Sequence, residues 1–150
     1  MKKAVALILI IGTLFPLLHS CKKYEDGPLI SFRGKEKRLT GVWDLTESSS
    51  DSGAVPDSLV CNTLTFGHQV TGGTFSCTGT GGLGDFAQGR WYWSDTKEFV
   101  TTAVASTLLY IGMLHISNRW RIKRLKMHEL WLEAQSGSTT YLFKYEKREE

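Results

Sequence analysis

The sequence predicts an all-β protein, a single antiparallel meander of about eight strands that closes into a small barrel. Of its 150 residues, 15 are glycine and only 3 are proline, and threonine, valine, leucine and aromatic residues are frequent, which favours β structure. From Leu39 onward, short apolar or alternating runs are separated by clusters of Gly, Ser, Asn and Asp, which indicates consecutive strands. We expect these strands to close on themselves, because an open sheet of this length would expose its edges.

The charge balance excludes one class of protein. The first 20 residues hold two lysines and no acidic residue, so the remainder carries 16 basic and 15 acidic groups. This near balance argues against a nucleic-acid-binding protein, which carries a clear excess of positive charge. A hydrophobic content of 41% is enough apolar surface for a core, and a chain of 150 residues usually folds as one domain.

Residues 1–20 have the layout of a secretory signal peptide. Two lysines precede about fifteen mostly apolar residues, Ala4 to Leu18, which is shorter than the roughly 20 that a transmembrane helix needs. The segment Leu18-His19-Ser20-Cys21 resembles the bacterial lipobox. That resemblance implies that Cys21 receives a diacylglyceryl group and becomes the first residue, so that buried acyl chains anchor the protein to a membrane. The alternative is a plain secreted protein in which Cys21 is incidental.

Residues 21–37 are interpreted as a tether, and residues 38–150 as the barrel domain. The tether mixes charged residues with Gly and Pro, and neither a helical nor an alternating period persists through it. Its first residues, Lys22 to Asp26, resemble the export signals of surface lipoproteins, in which lysine precedes acidic residues. The expected location is therefore the outer membrane, with the periplasmic face and the cell surface both open.

Nine segments of the barrel domain are candidate strands, and no segment is a convincing helix. They are Leu39–Glu47, Leu59–Phe66, Gly73–Thr78, Phe86–Ser94, Phe99–Val104, Thr107–Ile116, Arg119–Lys126, Glu129–Ala134 and Thr139–Tyr145. The segment Leu108 to Ile116 is ambiguous, because a short apolar run is also compatible with a buried helical turn.

Alternation within these segments predicts which side chains point into the barrel. They are Val42 or Trp43, Leu64, Phe66, Phe75, Trp91, Trp93, Ile122, Leu130, Leu132, Tyr141 and Phe143. In the run from Arg119 to Lys123 the apolar residues Trp120 and Ile122 share one parity and the basic residues the other. The parity breaks at Lys123-Arg124, which predicts a bulge or the start of a turn there.

Four groups of residues resemble the lipocalin-like lipoproteins of the Bacteroidetes. They are Gly41-Val42-Trp43, Phe66 with the Gly-rich turn that leads to Thr74-Phe75, Gly89-Arg90-Trp91, and Trp120-x-Ile122-x-x-Leu125 running into Glu129-Leu130-Trp131-Leu132. The match spans most of residues 38–145. The resemblance implies an eight-stranded lipocalin-like barrel whose closed end is covered by Trp43. It also implies that Lys144 stands where an arginine would stack on that tryptophan.

Cys61 and Cys77 remain as a pair once Cys21 is assigned to lipid, and an oxidising compartment favours a disulfide between them. In a hairpin centred on Gln69 they lie directly opposite each other. That register, however, puts Phe75 on the face of the cysteines and Leu64 on the other face. Either a bulge near Gly72-Gly73 corrects the register, or the cysteines are only near neighbours. Two free buried thiols are the alternative to the disulfide.

No metal, cofactor or catalytic site is expected. His68, His115 and His128 lie on separate segments without the spacing of a zinc site. The serine-rich run that begins at Ser48 is not a Gly-x-Ser-x-Gly nucleophile elbow. The glycines from Thr78 to Gly84 lack the following helix that a dinucleotide-binding fingerprint needs, and this run is expected to be a loop.

One strand carries a basic run that is a candidate surface feature. It consists of Arg119, Arg121, Lys123, Arg124 and Lys126. The run is suited to an acidic polysaccharide, a lipid head group or a phosphate. The simpler interpretation is a solvated face that Glu129 and Glu133 on the next strand partly balance.

The six residues that either fill the core or line a ligand cavity decide between two functions. They are Trp43, Phe66, Phe75, Trp91, Trp93 and Leu132. An eight-stranded barrel has room for its own side chains or for one small ligand. With a cavity, the protein is a non-enzymatic module that binds a small apolar ligand or an envelope component. With a packed interior, it is an accessory subunit that binds another envelope protein through its surface.

Overall fold

Eight strands in the described part of the chain form a closed antiparallel barrel in which each strand pairs with its neighbours in the chain and β1 pairs with β8. The computed structural model describes residues 34–57, 60–69, 72–79, 86–104 and 118–149. A short helix precedes the barrel. The elements are α1 (Lys35–Leu39), β1 (Gly41–Ser50), β2 (Cys61–Phe66), β3 (Gly73–Gly79), β4 (Phe86–Trp93), β5 (Phe99–Val104), β6 (Arg119–Leu125), β7 (Glu129–Ser136) and β8 (Thr139–Lys147). The predicted all-β meander is confirmed.

Helix α1 is the main departure from the predicted elements. The first strand begins at Gly41 and not at Leu39, because Lys35–Leu39 is helical, with the amide of Arg38 bonded to the carbonyl of Gly34 at 3.2 Å. Five residues are too few to show a helical period in the sequence. The predicted boundary between tether and domain, at residues 37 and 38, falls inside this helix. The candidate strand Thr107–Ile116 lies outside the described residues.

One end of the barrel, which we call the helix end, is covered by α1. Arg38 is buried and donates from Nη1 to the carbonyl of Leu125 at the end of β6, at 2.8 Å. Glu36 pairs with Lys97 in the connection between β4 and β5, at 3.7 Å. The helix therefore ties together the strand ends that surround it.

The interior is built as the alternation predicts. The buried apolar residues include Leu64, Phe66, Phe75, Trp91, Trp120, Ile122, Leu130, Leu132 and Phe143, and Trp93 and Tyr141 are partly buried against them. Of the pair Val42 and Trp43, it is Trp43 that is buried. A break in register between Ile122 and Arg124 confirms the predicted bulge, which lets Leu125 point inward again.

Candidate binding sites in the barrel and on its wall

Trp43 lies at the helix end of the barrel. Its side chain has no exposed surface, and its indole N–H donates to the carbonyl of Leu39 at 2.7 Å. The ammonium group of Lys147 lies 5.0 Å from the ring centre and donates to the carbonyls of Arg38, at 3.1 Å, and Thr40. Trp43 thus links α1 to the first and last strands.

The cation that lies over the ring of Trp43 is Lys147. The resemblance implied Lys144 at this place, and that expectation is wrong. In the register of β1 and β8, Trp43 pairs with Lys147 and Glu47 pairs with Lys144. Lys144 points to the outside, where its Nζ lies 2.9 Å from Glu47 and 4.9 Å from the ring centre of Trp131. A bulge between Leu45 and Glu47 separates the two registers, and the sequence gives no clear sign of it.

Four of the five aromatic residues of the predicted cavity set form a contiguous row. Ring centres are 5.5 Å apart for Phe66 and Phe75, 6.1 Å for Phe66 and Trp91, and 5.6 Å for Trp91 and Trp93. Trp91 also donates from Nε1 to the carbonyl of Gly67 at 2.9 Å. Its ring occupies the space where a Cβ on Gly73 would lie, so glycine at that position is required by packing. These contacts are the edge and tilted arrangements that aromatic rings prefer.

Five of the six residues of this set are core residues. Trp43, Phe66, Phe75, Trp91 and Leu132 expose between 0% and 3% of their surface. A water-sized void beside a side chain would appear as exposed surface, so Trp43, Phe66, Trp91 and Leu132 line no such void. Trp93 is partly buried and packs against the same cluster.

Two indole N–H groups inside the barrel have no acceptor among the described residues. They belong to Trp93 and Trp120, and both nitrogen atoms are buried. In the strand register each of these residues pairs with Val100, so they flank it on either side. A buried donor without an acceptor is uncommon in a folded protein, and it marks a place where a water molecule or a ligand atom would be stabilised. The sequence places Trp120 in the core but does not link it to Trp93, because that link depends on the pairing of three strands.

Cys61 and Cys77 form the expected disulfide, with Cα atoms 5.7 Å apart. They are not directly opposite each other, because the register of β2 and β3 pairs Leu64 with Cys77. A register shift between Cys61 and Thr63 brings Cys61 inward as well, and both cysteines are buried. The bulge therefore lies in β2 and not near Gly72-Gly73, and it removes the conflict between the faces.

Tyr145 is a buried polar side chain beside this disulfide. Its hydroxyl donates to the carbonyl of Cys61 at 3.2 Å. Burial raises the pKa of Tyr145 well above its usual value, because the phenolate would lose its hydration. Tyr145 therefore stays neutral and acts as a hydrogen-bonding core residue.

The two glutamates of β7 pair with four of the five residues of the basic run. Arg124 and Lys126 lie 2.6 Å and 3.0 Å from the carboxylate of Glu129. These hydrogen bonds, that of Arg124 first, lower the pKa of Glu129. Glu133 lies 3.8 Å from both Arg121 and Lys123. The wall formed by β6 and β7 is thus a network of ion pairs, tight at Glu129 and loose at Glu133.

Trp131 lies on the outside of this wall between two cations. The guanidinium carbon of Arg124 is 3.7 Å from its ring centre, and Lys144 lies near the same ring. The sequence marks Trp131 only as part of a motif. Its outward direction follows from the buried positions of Leu130 and Leu132 on either side of it.

The described residues line at least two grooves on the outer surface of the barrel. The larger, of about 390 Å³, spans β5 to β8 and is lined by Phe99, Arg119, Arg121, Glu133, Ala134, Gln135 and Thr140. The smaller, of about 220 Å³, crosses β2 to β4 and is lined by Thr65, Thr74, Phe75, Ser76, Gln88 and Gly89. The first groove contains charged side chains of both signs, whereas the second contains hydroxyl and amide groups.

Several sequence-based expectations fall outside the described residues. They include Cys21, the signal peptide, most of the tether, most of the glycine-rich loop and His115. Within the described residues, no cluster of three or more His, Cys, Asp or Glu is arranged to hold a metal ion. The described part of the chain also contains no helix with the length and apolar character needed to cross a bilayer.

No protein-family model matches the chain, and no curated protein matches it. Among solved structures, the chain is similar to a redesigned β-barrel with 12% sequence identity and a TM-score of 0.49. The similarity covers 81% of this chain and 100% of that barrel.

Proposed function

We propose that the protein is a lipid-anchored, non-enzymatic protein of the bacterial cell envelope whose packed barrel binds an envelope component through its outer surface. The anchor is supported by the sequence. A short apolar segment after two lysines ends at Cys21, and a charged segment follows it. Acyl chains on Cys21 would hold the barrel at the outer membrane, since each buried methylene contributes about 0.8 kcal/mol to membrane binding.

The close packing of the barrel interior is the observation that favours a binding site on the outer surface. Five of the six residues that were candidates to line a cavity expose no more than 3% of their surface. A small apolar ligand needs a site that buries most of its own surface, and these side chains leave no space for one among themselves. The grooves described above lie on the outer wall instead.

A carrier of a small apolar ligand is the second candidate. It is favoured by the buried indole N–H groups of Trp93 and Trp120, which lack acceptors among the described residues. A ligand with a carbonyl or carboxylate group would accept hydrogen bonds from them, after a local expansion of the core.

The lipid anchor is tested by fractionating cells that express the full-length chain with Cys21→Ser. We expect the wild-type protein in the membrane fraction, with the mass of an acylated Cys21, and the variant in the soluble fraction. Ser20→Ala is the matched control, because it changes the neighbouring residue and keeps the thiol. Retention of the Cys21→Ser variant in the membrane fraction would contradict the anchor.

The packed interior is tested by native mass spectrometry of the protein purified in detergent from its own envelope. We expect the acylated chain with no additional small molecule. A bound mass that is lost on denaturation would instead favour the carrier. Trp120→Phe, which removes the indole donor and keeps an aromatic ring, would then reduce its occupancy, whereas Trp131→Phe on the outer wall would not.

A further inference from the structure

We propose that the smaller outer groove, across β2 to β4, binds a neutral saccharide. This inference rests on the proposed binding role of the outer surface and names the chemistry that one wall of the barrel would recognise. The groove has a volume of about 220 Å³. At roughly 30 Å³ for each molecule of liquid water it holds about seven waters, which is room for one sugar ring.

The lining of the groove offers neutral hydrogen-bonding groups. Four of its residues have uncharged polar side chains: Thr65, Thr74, Ser76 and Gln88. A hydroxyl group both donates and accepts, and a side-chain amide has a donor and an acceptor. The hydroxyl groups of a sugar also donate and accept, so each of them can pair with any of these side chains.

These four side chains are not hydrogen-bonded to other described residues. Neighbouring hydroxyl groups on the same two strands are used within the protein. Thr63 donates to the carboxylate of Asp44 at 3.0 Å, and Thr78 donates to the carbonyl of Thr63 at 3.5 Å. The groups that line the groove are therefore available to a ligand, whereas those beside it hold the sheet together.

The wall around the groove carries little charge, which disfavours an ionic ligand. Among the residues paired in the register from β1 to β5, the charged ones are Asp44 and Arg90. Asp44 accepts from Arg148 at 2.8 Å, and Arg90 donates to Gln69 at 2.9 Å. A phosphate or carboxylate would lose hydration in a groove whose described lining has no cation to replace it. A neutral sugar has no charge to desolvate.

The closed sheet disfavours a peptide at this wall. Strands β2, β3 and β4 are each paired on both sides, so their backbone donors and acceptors are used within the barrel. An extended peptide that adds to a sheet needs an unpaired edge. A ligand in the groove must therefore be held by side chains, to which the hydroxyl groups of a saccharide are suited.

An exposed aromatic side chain lies on the same face of β4. Tyr92 is 39% exposed, and it is the exposed residue among the large apolar side chains of the described chain. Its Cδ1 atom lies 3.3 Å from the position that a Cβ on Gly72 would take, so the ring leans towards the start of β3. Tyr92 is four residues from Gln88, or roughly 13 Å along the strand. A short chain of sugar units would reach both, with the apolar face of one unit on the ring.

The experiment is an NMR titration of the isotope-labelled protein in micelles of lauryldimethylamine oxide, a detergent without a sugar head group. The neutral probes are maltotriose, cellotriose, mannotriose, xylotriose and chitotriose, and the anionic probe is trigalacturonate. We expect saturable shifts of the backbone amide signals of Ser76 and Gln88 with a neutral probe, with a dissociation constant on the order of 1 mM. Trigalacturonate should bind about tenfold more weakly, because its carboxylates meet no cation in the groove.

Variants identify the groove. Gln88→Ala should weaken binding about fivefold, because it removes a donor and an acceptor, and Tyr92→Ala about threefold, because it removes the ring. Gln135→Ala is the matched control, since Gln135 is an exposed glutamine of β7, on the other side of the barrel. It should leave binding unchanged. Melting temperatures within a few degrees of wild type verify that each variant is folded.

The proposal is overturned if no neutral trisaccharide shifts these signals at about 20 mM, well above the expected dissociation constant. It is equally overturned if trigalacturonate binds as tightly as the neutral probes, or if Gln88→Ala and Gln135→Ala weaken binding to the same extent. None of these results affects the fractionation or the native mass spectrometry, which test the anchor and the packed interior separately.

Discussion

Trp43 and Trp131 each lie against a lysine of β8, yet the two sites have different roles. Trp43 is fully buried at the helix end, and its lysine, Lys147, donates to backbone carbonyls of the segment that enters the barrel. Trp131 lies on the outer wall between Arg124 and Lys144, whose charges are paired with glutamates. A tryptophan next to a lysine therefore holds the helix end of the barrel together in one place and lies on the outer surface in the other.

The difference shows that burial, and not the identity of the contacting residues, decides what a cation and an aromatic ring contribute. A cation over a ring contributes about 0.5–1 kcal/mol at an exposed site and 2 kcal/mol or more where water is excluded. At the helix end, the ring and the ammonium group also satisfy the carbonyls of Leu39, Arg38 and Thr40. On the wall, water can replace each of the corresponding contacts.

The largest expected effect is that of removing each ring in turn. Trp43→Ala should lower the free energy of unfolding by about 3–5 kcal/mol, because it leaves a cavity in the core and an unpaired carbonyl. Trp131→Ala should cost only about 1 kcal/mol. Urea denaturation of both variants measures the difference. An equal decrease in the free energy of unfolding of both variants would show that the two sites contribute equally, which contradicts the difference argued above.

The next largest expected effect on stability comes from placing a side chain at Gly41, where Lys147 passes close to the backbone. Gly41 has a φ of 132°, and a Cβ there would collide with Cε of Lys147. Gly41→Ala should therefore destabilise the protein by about 2–3 kcal/mol, through strain and the displaced lysine.

Gly53→Ala separates these two causes. Gly53 has a similar φ, of 124°, but a Cβ there meets no atom within 4 Å. It should cost about 1 kcal/mol from strain alone. If the two alanine variants have the same melting temperature, the approach of Lys147 to Gly41 contributes nothing.

Exchange of the two lysines for methionine tests the cations themselves. Lys147→Met should cost about 1–2 kcal/mol, because the carbonyls of Arg38 and Thr40 lose their donor. Lys144→Met removes an exposed ion pair with Glu47, for which less than about 1 kcal/mol is expected. Thermal unfolding at low and at high salt distinguishes them further, since only the loss at Lys144 should diminish at high salt.

The sequence predicts which residues of β6 point inward and outward, but not the contacts of Trp43 and Trp131. Alternation around Trp120 and Ile122 is enough to predict the direction of the β6 side chains and the bulge after them. A bulge between Leu45 and Glu47 decides which lysine of β8 lies against Trp43. No glycine and no break in the alternation of the sequence predicts this bulge. Helix α1 has five residues, which is too short for a periodic pattern.

How closely the side chains pack in the interior could not be predicted from the sequence either. The alternating pattern identifies Phe66, Phe75 and Trp91 as inward residues, but it is silent on whether their rings meet or surround a ligand. That depends on the summed side-chain volumes in the closed barrel. The disulfide was predictable from the cysteine count, whereas its diagonal geometry required the bulge after Cys61.

The smallest expected effect concerns acid, to which the wall should respond more than the helix end. Hydrogen bonds from Arg124 and Lys126 lower the pKa of Glu129 below its ordinary value of 4.5. A carboxyl group with a lowered pKa in the folded state stabilises the protein above pH 4.5, and this contribution is lost as the pH falls through its folded pKa.

Glu129 keeps 37% of its side chain exposed, so we expect its contribution to be only a few tenths of a kcal/mol. Asp44, whose pKa Arg148 lowers in the same way, adds a second small step. Glu129→Gln should therefore flatten part of the fall in melting temperature between pH 5 and pH 3, measured by calorimetry, and Asp44→Asn a further part. At the helix end, the carbonyls that accept from Lys147 do not titrate in this range. Trp43→Ala should accordingly lower the melting temperature by the same amount at both pH values, and a loss that depends on pH would show that Trp43 is coupled to the neighbouring pair of Asp44 and Arg148.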